Sequence, residues 1–267
     1  MINVIVAGAA GRMGNRLVAL IREATALTLA GALEGKGHPA VSEDAGETAG
    51  VGKIGIAITD DLESLLKAGE VVIDFSAPEA TLSHFRAVAE RRRAIVVGTT
   101  GFNTAQWDEL RSLAKQVPCV CSPNMSVGVN LIYKVISEMA RTLGEEYDIE
   151  VIEAHHRLKK DAPSGTALKI AEVLAKAVNR DLNQVGVYAR KGLIGERKKQ
   201  EIGIQTIRAG DIVGDHTIVF GGMGERIEVT HRASSRDTFA RGALRAAQWV
   251  VKQPPGLYDM MDVLNLK

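Results

Sequence analysis

The chain has 267 residues, 46% of them hydrophobic and 24% charged, enough for one large domain or two of ordinary size with buried cores. Its 33 basic and 32 acidic residues leave a net charge of +1, which excludes a bulk field drawing it to nucleic acid or an anionic membrane surface. The longest apolar runs are strand-sized and no cleavable signal precedes Ile2, so a cytoplasmic protein without a membrane span is expected.

Residues 2–7 form a short apolar, β-branched run, followed by Gly8, Ala9, Ala10, Gly11, Arg12, Met13 and Gly14 and then a helical pattern through Leu17, Leu20 and Ile21. A strand, a glycine turn and a helix in that order suit a pyrophosphate, because glycines let it approach the backbone and the helix start presents N–H groups. The spacing G-x-x-G-x-x-G departs from the common G-x-G-x-x-G fingerprint at Ala10. A second strand over residues 27–33 ends in Glu34, twenty residues after Gly14, where an acid binds the adenosine ribose of a dinucleotide. Glu34 disfavours a 2′-phosphate, whereas Arg12 and Lys36 attract one, so NADH and NADPH both remain open.

Residues 35–55 are glycine-rich and aperiodic and read as a long loop. The apolar stretch Ile56, Ala57 and Ile58 follows, then a helix led by Thr59, Asp60 and Asp61. Strands over 71–75 and 94–97 flank a helix over 78–91, and another strand holds Cys119 and Cys121. This alternation predicts an α/β fold whose first domain is a Rossmann-type, doubly wound parallel sheet. Gly98, Thr99 and Thr100 follow one strand, and Ser122, Pro123, Asn124 and Met125 another. Both are compact polar segments suited to a nicotinamide or to an ordinary turn. The two cysteines are expected to diverge, to remain unbridged and to act as small hydrophobic residues; a C-x-C pair also offers too few ligands for zinc.

Leu131, Val135, Met139 and Leu143 predict a helix over 127–143 that opens a second domain. A strand over 148–153 leads to Glu153-Ala154-His155-His156-Arg157-Leu158-Lys159-Lys160-Asp161-Ala162-Pro163-Ser164-Gly165-Thr166, read as a strand-to-helix loop. Ser164 caps the next helix, and its first N–H groups with Lys159 suit a carboxylate or phosphate. His155 or His156 can exchange a proton near neutrality. Together these residues describe a site for a small acid. Residues 179–200 are polar, basic and unpatterned, and are expected to form a mobile loop. Strand-like runs over 202–208, 216–220 and 226–231, separated by glycine turns, predict an antiparallel open sheet and hence an α+β second domain that pairs with further copies. Ser234, Ser235, Arg236 and Asp237 mark the start of a last long helix, and the segment 258–264 is expected to return to the first domain. The expected division is 1–126 with 236–267 for dinucleotide binding, and 127–235 for substrate binding and oligomerisation.

The glycine turn, the runs Ile73-Asp74-Phe75-Ser76 and Gly98-Thr99-Thr100-Gly101-Phe102, the His-His to Ser-Gly-Thr segment and Arg208-Ala209-Gly210-Asp211-Ile212-Val213-Gly214 together resemble the 4-hydroxy-tetrahydrodipicolinate (dihydrodipicolinate) reductase family over nearly the whole chain. The resemblance implies NADH- or NADPH-dependent reduction of a small cyclic dicarboxylate in the diaminopimelate route to lysine, by a homotetramer using no metal. It implies His155 as general acid/base and Lys159 as a second donor. His156, Lys160, Ser164, Gly165 and Thr166 are implied as ligands of the substrate carboxylates. Gly8, Ala9, Ala10, Gly11, Arg12 and Met13 would hold the pyrophosphate, Glu34 the ribose, and Gly98, Thr99, Thr100, Ser122, Pro123, Asn124 and Met125 the nicotinamide side. Another Rossmann-type dehydrogenase and a non-catalytic NAD(P)H sensor are the alternatives; neither needs the double-anion site, and a sensor does not need both proton donors.

Overall fold

The computed structural model describes residues 1–267, and the chain separates into two compact units, Met1–Val127 with Arg236–Lys267 and Gly128–Ser235. The first unit opens with β1 (Ile2–Ala7), α1 (Arg12–Glu23), β2 (Leu27–Leu33), α2 (Ala45–Thr48), β3 (Ile58–Thr59), α3 (Leu62–Leu65), β4 (Val71–Asp74), α4 (Pro78–Glu90), β5 (Ala94–Val97), α5 (Thr104–Leu113) and β6 (Pro118–Cys121). Next come α6 (Val127–Leu143), β7 (Asp148–His155), α7 (Gly165–Ala177), α8 (Leu182–Val185), β8 (Gly186–Val187), β9 (Ile202–Arg208), β10 (Gly214–Gly221) and β11 (Arg226–Ala233). The chain ends with α9 (Asp237–Val250), β12 (Gly256–Tyr258) and α10 (Met260–Val263). No helix is long and apolar enough to cross a membrane.

In the first unit the strands run parallel in the order β12-β6-β5-β4-β1-β2-β3. Strand order reverses between β1 and β4, the switch point of a doubly wound sheet, where a ligand finds a crevice at the strands' carboxyl ends. Every residue of β4 and β5 is buried, as expected of strands covered on both faces. Period two then divides the core. Val4, Val6, Ile73 and Val96 pack with Leu17 and Ile21 of α1 and with Ala243, Ala247 and Val250 of α9. On the other face Ile5, Val72 and Ile95 pack with Leu82, Phe85 and Val88 of α4 and Leu110 of α5. Cys119 and Cys121 do not diverge: both enter this second cluster, as residues i and i+2 of a strand must, and they are unbridged. Helix α5, for which no sequence element was named, starts with a capping box between Asn103 and Gln106.

The second unit is a mixed sheet in the order β11-β10-β7-β9-β8, with antiparallel pairing predominating. One expectation is corrected here. β9 does not pair with β10; it lies parallel to β7, while β10 is flanked by β7 and β11. Val151 of β7, Ile204 of β9 and Ile218 and Phe220 of β10 are buried with Ile136 of α6 and Leu174 of α7, on the three inner strands of the sheet. β7 also runs two residues further than expected, so His155 ends the strand and only His156 begins the loop. The segment 179–200 is tied down rather than loose: Arg190 forms a two-point bond to Glu150 at 2.9 Å in each arm, and Arg197 reaches Asp148 at 2.6 Å.

Residues 35–55 are likewise more ordered than their glycines suggest. Asp44 caps α2 and accepts from the N–H groups of Gly46, Glu47, Ile54 and Gly55, which folds the segment around one carboxylate. Burial would push Asp44 up, but these four backbone bonds outweigh it and hold the group below its ordinary value. We expect Asp44→Ala to remove hydrogen-exchange protection from the Ile54 and Gly55 amides while the β1 and β4 amides stay protected; unchanged exchange at Ile54 and Gly55 would contradict this role.

Candidate active site

The centre of the second unit is Glu153. Because side chains alternate along β7, Glu153 and His155 share the buried face with Ile149 and Val151, at the edge of the apolar core. Strand pairing sets Thr206 beside Glu153, Arg208 beside His155, and His216 opposite Glu153. The Glu153 carboxylate, fully buried, accepts from His155 Nδ1 at 2.6 Å, from both terminal nitrogens of Arg208 at 2.8 Å each, and from the Ser164 N–H at 3.0 Å. Burial by itself would raise this carboxyl; the bonds from His155, Arg208 and Ser164 outweigh it and hold Glu153 well below the usual carboxylate range.

An ionised carboxylate only accepts, so the proton of neutral His155 sits on Nδ1 and Nε2 is left to take or give one. A Cβ on Gly214 would lie 3.0 Å from that nitrogen, and glycine leaves it open. The ring of His216 stands edge-on to His155 with centroids 5.3 Å apart. His216 is buried, its Nε2 lies 3.3 Å from Ser164 Oγ, and its Nδ1 has no partner. Burial, and next the neighbouring His155, push His216 down to about 4, so it is a neutral imidazole at physiological pH.

Between His155 and α7 the chain makes a loop held by backbone bonds, Arg157 N–H to the Gly210 carbonyl at 3.1 Å and Lys159 N–H to that of His156 at 3.1 Å. Lys159 Nζ is 2.9 Å from Asp161 Oδ1, and the Asp161 carbonyl accepts from Arg208 at 2.6 Å. His156 is half-buried and Lys160 exposed. Ser164 caps α7 by accepting from the Ala167 N–H at 3.1 Å. Its own N–H goes to Glu153 and it is buried, so it holds the site from within. Gly165 and Thr166 form the outer start of the helix, where N–H groups lie outside the helical ladder. The sequence reading missed Glu153, Arg208, His216 and Gly214. Glu153 was detectable as the residue two before His155 in an alternating strand; Arg208 and Gly214 stood out only as ends of a family motif, and nothing local joined Arg208 to Glu153, 55 residues away.

In the first unit the glycine turn lies at the carboxyl end of β1. Gly8 has φ +75°, a left-handed conformation that glycine adopts without strain, and a Cβ on Gly14 would run into the Gly8 carbonyl. Helix α1 has no side-chain cap, which leaves its N-terminal end to a ligand. Ala9 is part of the core, while Ala10 and Met13 are half-buried and Gly11 and Arg12 exposed. Glu34, just past β2, bends over this turn and accepts from the Ala10 N–H at 2.8 Å. Glu34 and Lys36, with Asp60, Asp61 and His84, line a cavity of about 360 Å³. An uncapped helix, a turn with glycines at its close approaches and a cavity carrying an acid fit a dinucleotide.

The other two strand-end segments lie past β5 and β6. Thr99 is buried, Gly98 half-buried and Thr100 exposed. Ser122 donates to the Asn124 carbonyl at 3.0 Å, Asn124 Oδ1 accepts from the Ser126 N–H at 2.9 Å, and Pro123 is exposed. The Met125 side chain is in the core, and its carbonyl packs against Gly242 of α9. No group of three or more His, Cys, Asp or Glu side chains is arranged to hold a metal ion.

Two family models match the chain, "Dihydrodipicolinate reductase, N-terminus" over residues 2–125 and "Dihydrodipicolinate reductase, C-terminus" over residues 128–264. Among curated proteins, the 4-hydroxy-tetrahydrodipicolinate reductases of Syntrophus aciditrophicus and Syntrophobacter fumaroxidans are 56% and 57% identical over the whole of both chains. Among solved structures, the dipicolinate-bound dihydrodipicolinate reductase from Paenisporosarcina sp. TG-14 shares the fold, with a TM-score of 0.75, 24% identity and 98% of each chain covered. The chain belongs to the 4-hydroxy-tetrahydrodipicolinate reductase family, NAD(P)H-dependent oxidoreductases of the diaminopimelate route to lysine.

Proposed function

We propose that His155, set by Glu153, is the proton donor of this reductase, with Lys159 as a second donor that also draws in the dianionic substrate. The observation that carries this reading is the 2.6 Å bond from His155 Nδ1 to Glu153, which commits one ring nitrogen and leaves Nε2 for chemistry. The nicotinamide, when bound, supplies a hydride to the conjugated, imine-containing ring. The electron pair displaced through that ring takes a proton from His155 Nε2 or Lys159 Nζ. The buried Glu153 carboxylate stabilises the imidazolium from which the proton leaves, and Arg208 keeps Glu153 itself from taking it up. His216, neutral and beside His155, adds no competing acid.

His156, Lys160, Gly165 and Thr166 would bind the two carboxylates, combining full charges with the N–H groups at the start of α7. Ser164, whose N–H and hydroxyl are engaged internally, would support that site from behind. Gly8 to Met13 would hold the pyrophosphate and Glu34 the adenosine ribose. Gly98, Thr99 and Thr100, with Ser122, Pro123, Asn124 and the Met125 backbone, would face the nicotinamide. The opposed charges of Glu34 and Lys36 would set the ratio of NADH to NADPH use. The first unit would thus bind the dinucleotide and the second the substrate. A homotetramer in the cytoplasm completes the reading.

The direct test follows oxidation of NADH and NADPH by absorbance, with substrate made in the cuvette from pyruvate and aspartate semialdehyde by a purified synthase. Lys159→Ala is expected to lower turnover about 100-fold, in the range of a lost proton donor, with dinucleotide affinity unchanged; turnover equal to wild type would remove Lys159 from the chemistry. Lys36→Ala is expected to weaken NADPH more than NADH, and equal losses would move the phosphate contact to Arg12. The folded chain disfavours protonated His216, so between about 6.5 and about 4 the unfolded chain binds the extra proton. Stability is therefore expected to fall as the pH drops through that window, and His216→Gln to flatten the slope of thermal midpoint against pH; a variant with the wild-type slope would exclude His216 as its source.

A further inference from the structure

One buried carboxylate in the first unit is not used in the reaction as described. Asp74 ends β4 at the switch point, paired with Ala7 of β1 on one side and Val97 of β5 on the other. It therefore stands between the glycine turn and the Gly98-Thr99-Thr100 segment, and its carbonyl accepts from the Gly98 N–H at 2.9 Å. Its side chain is fully buried. Oδ1 accepts from the Ser76 N–H at 2.9 Å and the Ser76 hydroxyl at 2.5 Å, with Thr81 Oγ1 at 3.1 Å. Thr81 Oγ1 in turn lies 2.8 Å from Thr99 Oγ1, and Oδ2 accepts from His84 Nδ1 at 2.8 Å. His84, on α4, also lines the cavity that holds Glu34 and Lys36.

As a stabilising device a buried carboxylate is poor, because desolvation offsets most of what its bonds return. As a geometric device it is strong. It accepts only, so it orients the hydroxyl of Ser76 and the imidazole N–H of His84, and it fixes Thr99 both through Thr81 and directly, Thr99 Oγ1 lying 3.4 Å from Oδ1. Each of these hydroxyls has one hydrogen, and the carboxylate decides where it points.

We propose that Asp74 is a positioning residue for hydride transfer. It holds Thr99 and Ser76 in the arrangement that receives the nicotinamide end of the cofactor, braced by His84 on the side of the ribose cavity. The proposal rests on the reading that Thr99 lines the nicotinamide, and the variants separate the two ideas.

The experiment compares full-length Asp74→Asn, Thr99→Val and the double variant, each checked for folding by circular dichroism, in steady-state kinetics with both substrates varied. Asp74→Asn is expected to raise KM for NADH about tenfold, as for loss of a hydrogen bond to a charged group, with KM for the dicarboxylate changed less than about twofold. Thr99→Val is expected to raise KM for NADH as well, and the double variant to be no worse than Asp74→Asn, since both break one chain of bonds. A folded Asp74→Asn with the wild-type KM for NADH, beside an impaired Thr99→Val, would show a merely structural carboxylate and overturn the proposal. So would losses that multiply in the double variant. Thr99→Val without effect on NADH would overturn the proposal through the reading beneath it. Should Asp74→Asn fail to fold, Thr81→Val, which removes the 2.8 Å bond to Thr99 and leaves the carboxylate with only its longer 3.4 Å contact to that hydroxyl, decides by the same pair of KM values: a rise for NADH alone supports the proposal, and no rise overturns it.

Discussion

The second unit depends on one buried carboxylate. Glu153 lies on the core side of β7, where an unpaired charge would be prohibitively costly, and it is tolerated because a bidentate arginine, an imidazole and a backbone N–H converge on it. Each partner comes from a different element: His155 from β7 itself, Arg208 from β9 and Ser164 from the start of α7. The pairing of β7 with β9 and the docking of α7 are thus set by the same bonds that orient the imidazole. Removing any of these donors would leave a buried charge partly unsatisfied, which is why stability and site geometry are inseparable here.

The two units present different chemistry for the same physical reason. In the first, parallel strands end together at one edge of the sheet, and the helix that follows the glycine turn starts without a side-chain cap, an arrangement suited to phosphate. In the second unit the mixed sheet brings ionisable side chains from separate strands into register beside the start of α7. A backbone-lined site suits a cofactor held by its phosphates. A site lined by histidine and lysine suits a substrate that must receive a proton.

Family membership and the α/β fold were legible because they reside in local patterns: apolar strands of four to seven residues, a glycine turn and a capped helix in a fixed order. The His-His to Ser-Gly-Thr run was legible for the same reason, being contiguous. Errors arose where neighbours in sequence are not neighbours in space. Consecutive late strands joined by glycine turns suggest antiparallel neighbours, yet β9 lies parallel to β7 on the side away from β10, a pairing that no local pattern records. Residues 35–55 and 179–200 were read as loose because they lack periodicity, whereas Asp44, Arg190 and Arg197 order them through polar bonds that no periodicity records.

The sequence by itself determined most of the elements, the parallel character of the first sheet, the family and the contiguous run from His155 to Thr166, all of which follow from patterns along the chain. Only the tertiary structure decided which nitrogen of His155 is committed, that Ser164 faces inward, that His216 stays neutral, and that Arg208 belongs to the site. Those facts turn on burial and on hydrogen bonds between strands far apart in the sequence, and no local pattern specifies such partners until the sheet has brought them together.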